Sequence, residues 1–178
     1  MYKRQTEDAI TIDNDNGFAV RFLYDESTPT TSVSYPLDAQ AYNIQIQTYT
    51  GTAIETGPGT QSGASYVKIR VKRQRDNKWW QVDSWITSPY DNSTDLTGTD
   101  WNWDIVAKGG ALNVFYANTE DTFEIYTKAQ DYAGNEEAFE LKATFIYDVV
   151  KPTTSVSYPV NGNYYTSNEP TIIKGGFY

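Results

Sequence analysis

The chain has 178 residues, no cysteine, no histidine and a formal net charge of −9. Without cysteine it forms no disulfide and no thiolate metal site, and without histidine or cysteine the common catalytic triads are absent. The acidic balance argues against a nucleic-acid partner, which needs a basic surface, and suits a soluble surface that attracts cations. No apolar run approaches the roughly eighteen residues that a membrane-spanning helix requires, so we expect no membrane insertion.

The first element that the sequence predicts is a polar hairpin turn at residues 13–17, Asp-Asn-Asp-Asn-Gly. An EF-hand calcium loop would show similar alternating oxygen-bearing side chains, but it needs glycine at its sixth position and glutamate at its twelfth. Counted from Asp13, those positions hold Phe18 and Tyr24, so the EF-hand pattern fails. A weak cation site is the alternative to a plain turn.

An eight-residue stretch, Pro-Thr-Thr-Ser-Val-Ser-Tyr-Pro, occurs at 29–36 and again at 152–159, an offset of 123 residues. The same offset, without gaps, aligns Phe22 with Phe145, Tyr24 with Tyr147, Asp25 with Asp148, Asp8 with Asp131, and Tyr42 with Tyr165. Such self-similarity predicts tandem repeats, the alternative being one domain that reuses a strand sequence.

The repeat predicts three segments: the C-terminal strands of a preceding repeat (1–28), one complete repeat (29–151) and the N-terminal strands of a following repeat (152–178). Residues 1–10 lack the apolar core of a signal peptide. Together with the truncated flanking repeats, this leads us to expect a piece of a longer protein.

Alternation of apolar and polar residues predicts strands along the complete repeat. In 66–73, for example, Val67, Ile69 and Val71 share one face, and lysine and arginine occupy the other. The strand segments are 31–35, 43–50, 66–73, 79–86, 101–105, 122–130 and 139–148. The other inward faces are Ile44 and Ile46; Phe123, Ile125 and Thr127; and Phe139, Leu141, Ala143 and Phe145. Segments rich in glycine, proline, asparagine and aspartate separate the strands, which is typical of a β-sandwich.

Tryptophans occur in two pairs along these strands. Asp76-Asn77 predicts a hairpin turn, after which Trp79 and Trp80 must face opposite sides of their strand. Trp101 and Trp103, two residues apart, share a face. Most such rings belong to a hydrophobic core. The alternative is an aromatic platform for sugar rings, for which Trp79, Trp80 and Trp85 are the candidates.

The order of motifs resembles the bacterial Ig-like repeats of large surface and secreted proteins. The matching residues are a Tyr-Asp-x-x-x-Pro-Thr-Thr linker, Gly51-Thr52-Ala53, and the Ala-x-Asp-x-Ala-Gly-Asn turn at 129–135. The resemblance covers the middle repeat and parts of both ends, although residues 7–17 lack the Ala-Gly-Asn turn. It implies an all-β fold, an immunoglobulin-like β-sandwich of about seven strands in a tandem array, located extracellularly or at a cell surface.

In an Ig-like topology, the loop after the second strand and the loop after the sixth lie at the end where the chain enters. Calcium binds six to eight carboxylate, amide and carbonyl oxygens, and it sometimes occupies this junction in the resembling family. The residues expected there are Asp25, Glu26, Glu55, Asp131 and Asn135. Asp148 would serve the next junction and Asp8 the preceding one, both incompletely. The alternative is that Asp131 only hydrogen-bonds its own turn and Asp25 is a solvated linker charge.

We therefore expect a non-catalytic stalk repeat with adhesive or structural work, neighbouring Ig-like repeats as partners, and a surface glycan or protein as its ligand. No nucleophile motif such as Gly-x-Ser-x-Gly occurs. One alternative is a carbohydrate-binding module. A second is a filament subunit that pairs with another copy of itself through the truncated end strands, because unpaired strands seek sheet edges.

Overall fold

The computed structural model describes residues 10–13, 19–22, 24–57, 61–166 and 173–177. The chain divides into two units, Met1–Asp148 and Val149–Tyr178. The boundary falls in the predicted linker, but the three-segment partition into 1–28, 29–151 and 152–178 stays a prediction. The turn expected at 13–17, apart from Asp13, and Asp8 lie outside the described residues.

The fold is almost entirely β, as the sequence predicts. The described residues include one short helix, α1 (Leu112–Phe115). The strands of the first unit are β1 (Ile10–Asp13), β2 (Ala19–Phe22), β3 (Pro29–Tyr35), β4 (Gln40–Tyr42), β5 (Thr48–Glu55), β6 (Ala64–Arg73), β7 (Lys78–Gln81), β8 (Ser84–Ile86), β9 (Asn92–Ser93), β10 (Asp95–Thr97), β11 (Asp100–Asp104), β12 (Glu120–Asp131) and β13 (Glu140–Asp148). The second unit contains β14 (Thr154–Tyr158) and β15 (Lys174–Phe177).

Two open sheets make up most of the first unit, and β1 pairs with β2 in a separate hairpin. One sheet has the order β10–β11–β5–β3, with antiparallel neighbours throughout. The other has the order β4–β13–β12–β6–β7–β8, with β9 paired to β6 and only β4 parallel to its neighbour. The two sheets share a core, because Tyr49 of the first lies 5.9 Å from Phe145 of the second, measured between ring centroids.

Aromatic rings fill the centre of that core. Phe115 of α1 contacts aromatic residues of both sheets, with ring centroids 4.9 Å from Trp80 of the seven-stranded sheet and 6.2 Å from Tyr49 of the four-stranded sheet. Trp101 and Trp103 share a buried face of β11, as their spacing predicts. Large rings of this kind dominate burial energetics, so Trp80, Trp101 and Trp103 serve the core.

The predicted alternation is confirmed in the central strands. Val67, Ile69 and Val71 are buried in β6, and Phe123, Ile125 and Thr127 are buried in β12.

The prediction for 43–50 is wrong in part, because the strand begins at Thr48. Ile46 is buried, but Ile44 is 59% exposed. The segment before the strand is held by Tyr116, whose hydroxyl donates to the Ile46 carbonyl at 2.9 Å.

A β-bulge overturns the predicted inward face of 139–148. Ala143 pairs with Ile125, but Leu141 pairs with Tyr126, so one extra residue, Lys142, interrupts the register of β13. A bulge reverses the side-chain alternation beyond it. Ala143 and Phe145 are therefore buried as predicted, whereas Leu141 is 50% exposed and Phe139 is only half-buried.

The segment 79–86, expected to be one strand, is the tight hairpin of β7 and β8. Trp80 pairs with Trp85 across it, and Val82 and Asp83 form its turn. The complete repeat consequently contains more than the seven strands expected. The predicted turn at Asp76-Asn77 is confirmed, since Arg73 pairs with Lys78 around it.

Val82 occupies a left-handed backbone conformation, with φ of 49°. A β-branched residue is strongly disfavoured there, whereas asparagine tolerates it. We expect Val82→Asn to raise the free energy of unfolding by about 1 kcal/mol, measured by urea denaturation. Val82→Ala, which keeps the backbone penalty, is the control and should gain less; a net loss of stability in Val82→Asn would contradict the interpretation.

The second unit repeats a local structure of the first. Tyr35–Pro36 and Tyr158–Pro159 are both cis peptides. In each copy a tyrosine hydroxyl accepts a backbone hydrogen bond just after the proline, from Leu37 N–H to Tyr42 at 2.8 Å and from Val160 N–H to Tyr165 at 2.7 Å. The sequence repeat is therefore also a repeat of local conformation.

Candidate metal site

Three carboxylates from three segments meet at one end of the first unit. Asp25 lies in the segment before β3, Glu55 is the last residue of β5, and Asp131 is the last residue of β12. One oxygen atom from each lies within 4.8 Å of the other two. The cluster therefore contains one residue from the segment before β3 and one residue from each of the two sheets.

Strand direction explains why these residues meet. Pro29 pairs with Glu55 in the antiparallel β3–β5 ladder, so the residues before Pro29 lie beside the end of β5. Asp131 pairs with Ala64 at the start of β6, which follows the loop that leaves β5. Both loops therefore lie at the end where the chain enters, as expected.

Asp131 stabilises its own turn. Its Oδ1 accepts hydrogen bonds from the backbone N–H groups of Gly134 at 2.6 Å and Asn135 at 2.7 Å, and its Oδ2 accepts one from the Asn135 side chain at 2.8 Å. Burial acts to raise the pKa of Asp131, but the hydrogen bonds from Asn135 and Gly134 outweigh it, and the pKa lies below its ordinary value. Asp131 therefore does stabilise its own turn, and the same hydrogen bonds hold its carboxylate within the cluster.

Asp25 is also held ionised by backbone groups. Its Oδ1 accepts from Ser27 N–H at 2.9 Å and its Oδ2 from Ser62 N–H at 2.7 Å. Burial would raise the pKa of Asp25, but these hydrogen bonds from Ser27 and Ser62 lower it overall. Asp25 is therefore a positioned carboxylate rather than a freely solvated linker charge.

Glu55 is the least satisfied member of the cluster. Its side chain is 8% exposed, and its Oε2 accepts from Gly63 N–H at 2.7 Å. Its Oε1 is buried and receives no hydrogen bond from an N–H or O–H group of the described residues, although the Glu55 carboxyl can share a hydrogen bond with Asp25 when it is protonated. Burial raises the pKa of Glu55, and the neighbouring Asp25 and Asp131 raise it further, against the opposing effect of the Gly63 N–H.

The charges in this cluster do not balance by themselves. Two unit negative charges at such a separation repel by on the order of 3 kcal/mol at an effective dielectric constant of about 20. The repulsion is relieved either by a proton on Glu55 or by a cation among the three groups. Oxygen-only donors suit calcium or magnesium rather than zinc or copper.

The other two predicted ligands have different positions. Glu26 lies outside the cluster, and its Oε1 accepts a hydrogen bond from the Tyr24 hydroxyl. Asn135 directs its amide nitrogen toward the Asp25 carbonyl at 3.0 Å and toward Asp131. Asn135 thus ties the entering segment to the β12–β13 turn. The Ser62 and Gly63 N–H donors were not anticipated, because main-chain donors have no side-chain signature.

The three tryptophans considered for sugar binding do not form a row. Trp80 is fully buried, which excludes it from stacking on a sugar while the core is folded. Trp85 lies between Phe123, at 5.8 Å between centroids, and the Arg73 guanidinium, 4.4 Å from its ring centroid. Trp79 is on the outer face, half-buried and tilted by 52° against Tyr126.

No helix within the described part of the chain is long and apolar enough to cross a membrane. A scan of the chain against protein-family models finds no match, and a search of curated proteins finds no significant relative.

Proposed function

We propose that the chain is part of a non-catalytic stalk of tandem Ig-like β-sandwich repeats, from an extracellular or cell-surface protein, and that calcium at Asp25, Glu55 and Asp131 stiffens the entry to the complete repeat. The observation that carries the proposal is the buried, unpartnered Oε1 of Glu55 beside two ionised carboxylates. Buried polar atoms normally have a partner, and a cation supplies one here.

Two open sheets with a shared core support the sandwich fold. Antiparallel neighbours and inward faces that meet are features of Ig-like domains. The parallel pairing of β4 with β13 at one sheet edge is compatible with that architecture. The repeated sequence, and the hydrogen bond that a tyrosine hydroxyl accepts from the residue after the proline in each copy, support the tandem arrangement.

The mechanical role follows from what the cation would connect. Glu55 belongs to the four-stranded sheet, Asp131 to the seven-stranded sheet, and Asp25 to the segment that precedes β3. An ion bound by all three would fix that segment to both sheets. It would limit bending at the point where a preceding repeat is attached.

Calcium fits better than magnesium because of the ligand set. Magnesium requires near-ideal octahedral geometry and keeps much of its water, whereas calcium accepts irregular shells of carboxylates and carbonyls. The cluster draws its three carboxylates from separate segments, and each is already constrained by hydrogen bonds. Such a set is irregular, and the larger ion tolerates it.

The test is a thermal melt of the whole chain in excess calcium and in chelator. A ligand that binds only the folded state adds about 2.7 kcal/mol at a hundredfold excess over Kd, so we expect Tm to rise by several degrees in calcium. Asp131→Asn keeps an oxygen for the turn but removes the charge, and it should lose most of that rise.

The matched control is Asp83→Asn, which removes one exposed carboxylate in the β7–β8 turn. It should retain the full calcium response. Equal Tm values in calcium and chelator for the unaltered chain would reject the cation, as would equal loss of response in both variants.

A further inference from the structure

The strand β3 lies at one edge of the four-stranded sheet. Among the described strands it forms a ladder with β5 alone, since the sheet has the order β10–β11–β5–β3. An edge strand leaves a sheet after one ladder is broken instead of two, and tandem repeats are prone to exchange such elements between copies. The contacts that β3 makes on β5 decide which other strand can take its place.

These contacts make demands at specific positions of the strand. The Thr31 hydroxyl donates to Glu137 Oε2 at 2.7 Å and lies 2.6 Å from the hydroxyl of the buried Thr127. The Ser32 carbonyl accepts a hydrogen bond from Trp101 Nε1 at 3.2 Å. A strand of unrelated sequence would leave buried polar groups without partners, which is costly.

The strand β14 meets the same demands. Residues 152–159 are identical to residues 29–36, so β14 has the side chain of β3 at every corresponding position. In its own hairpin β14 places Val156 opposite Gly175, and β3 makes the same valine–glycine pairing with β5. Each ladder has a register irregularity directly after that valine. On β5, β14 can therefore make every contact that β3 makes.

The residues that flank the two strands correspond as well. Asp148 precedes β14 at the position that Asp25 has before β3. After the strand, the Val160 N–H donates to the Tyr165 hydroxyl at 2.7 Å, as the corresponding pair of residues does in the first unit. An incoming β14 thus has the flanking chain conformation that β3 has.

We propose that β14 of a second copy of the chain replaces β3 on β5, in the register of β3. The displaced β3 can in turn take the place of β14 on β15, because the identity holds in both directions. The occupant is a second copy of this chain, since the strand that fits is one of its own. The exchange follows from the identity of two strands and the edge position of β3, and it depends neither on the exposure of β14 nor on calcium.

Engineered cysteines test the exchange without interference, because the chain has no cysteine of its own. Ser32 Oγ lies 2.8 Å from Thr52 Oγ1 across the β3–β5 ladder, so a pair of cysteines at these positions is close enough for a disulfide. Thr52→Cys combined with Ser155→Cys should form that bond only when β14 occupies the place of β3. After unfolding in urea and oxidative refolding at high protein concentration, we expect a disulfide-linked dimer, with the bond between positions 52 and 155 confirmed by mass spectrometry.

Two further pairs are the controls. Thr52→Cys with Ser32→Cys should form its bond within one chain, which shows that the altered sheet still folds. Thr52→Cys with Ser157→Cys places the second thiol on the same strand but out of register, and it should give roughly tenfold less dimer.

Three results would overturn the proposal. Equal dimer yields with Ser155→Cys and Ser157→Cys would mean that the thiols meet by random collision. The absence of a bond between positions 52 and 155 would mean that β3 keeps its place on β5. That bond within a monomer would make the chain's own β14 the occupant instead of a second copy.

Discussion

Gly51→Ala should destabilise the first unit by at least about 3 kcal/mol, because the new methyl group has no space. Its Cβ would lie 1.9 Å from the Ser32 carbonyl oxygen, a backbone atom that can move only if β3 moves. On the other side it would meet the Trp101 ring at 2.5 Å. Relief requires either separation of β3 from β5 or displacement of a buried indole. Each movement breaks the hydrogen bonds that Trp101 Nε1 donates to the Ser32 and Thr52 carbonyls, both at 3.2 Å.

Urea denaturation followed by tryptophan fluorescence measures this effect, with Ile54→Ala as the matched control. Ile54 lies in the same strand as Gly51 but has an exposed side chain, so its truncation should lower the free energy of unfolding by less than about 1 kcal/mol. Combining Gly51→Ala with Trp101→Phe should recover only part of the loss, because the Ser32 contact remains. A loss below about 1 kcal/mol in Gly51→Ala alone would show that the sheet adapts, and it would contradict the requirement for glycine opposite Trp101.

Sequence patterns predicted the regular strands well and their irregularities poorly. Val67, Ile69 and Val71 alternate with charged residues, and burial follows that alternation without exception. The outward position of Leu141 could not be read in the same way, because a bulge at Lys142 has no reliable sequence signature. The β7–β8 hairpin was missed because its turn, Val82-Asp83, contains no glycine or asparagine.

The meeting of Glu55 and Asp131 was predictable because strand directions alone bring their loops to one end of the unit. The sequence could not predict which of Asp25 and Glu26 joins the cluster. Neighbouring side chains in an extended segment point to different sides, and the sequence does not say which side faces the sheet. The Gly63 N–H that holds Glu55 was beyond prediction for a related reason, since any residue carries such a donor.

Glu55→Gln should change stability in opposite directions with and without calcium, which separates a metal ligand from a merely buried acid. In chelator we expect a gain of about 1 kcal/mol, because the amide removes a charge beside Asp25 and Asp131 and can donate a hydrogen bond. In excess calcium the same change should remove most of the stabilisation by the ion. The difference between the two free energies of unfolding is the measured quantity, and Asp83→Asn again serves as the control.

The pH dependence of stability, measured in chelator, gives an independent check on whether the ionised Glu55 carboxylate destabilises the folded state. The folded pKa of Glu55 is raised above its ordinary value of 4.5, so its contribution to stability is present below that value and lost as pH rises through the folded pKa. Asp25 and Asp131 have lowered pKa values, so their contributions are present above the ordinary value of 3.8 and lost as pH falls through the folded pKa. Glu55→Gln should therefore abolish the decline above pH 4.5 and preserve the acid-side loss. If the free energy of unfolding of Glu55→Gln still declines above pH 4.5, Glu55 is not the carboxyl whose ionisation destabilises the folded state. The buried Oε1 would then no longer support a bound cation.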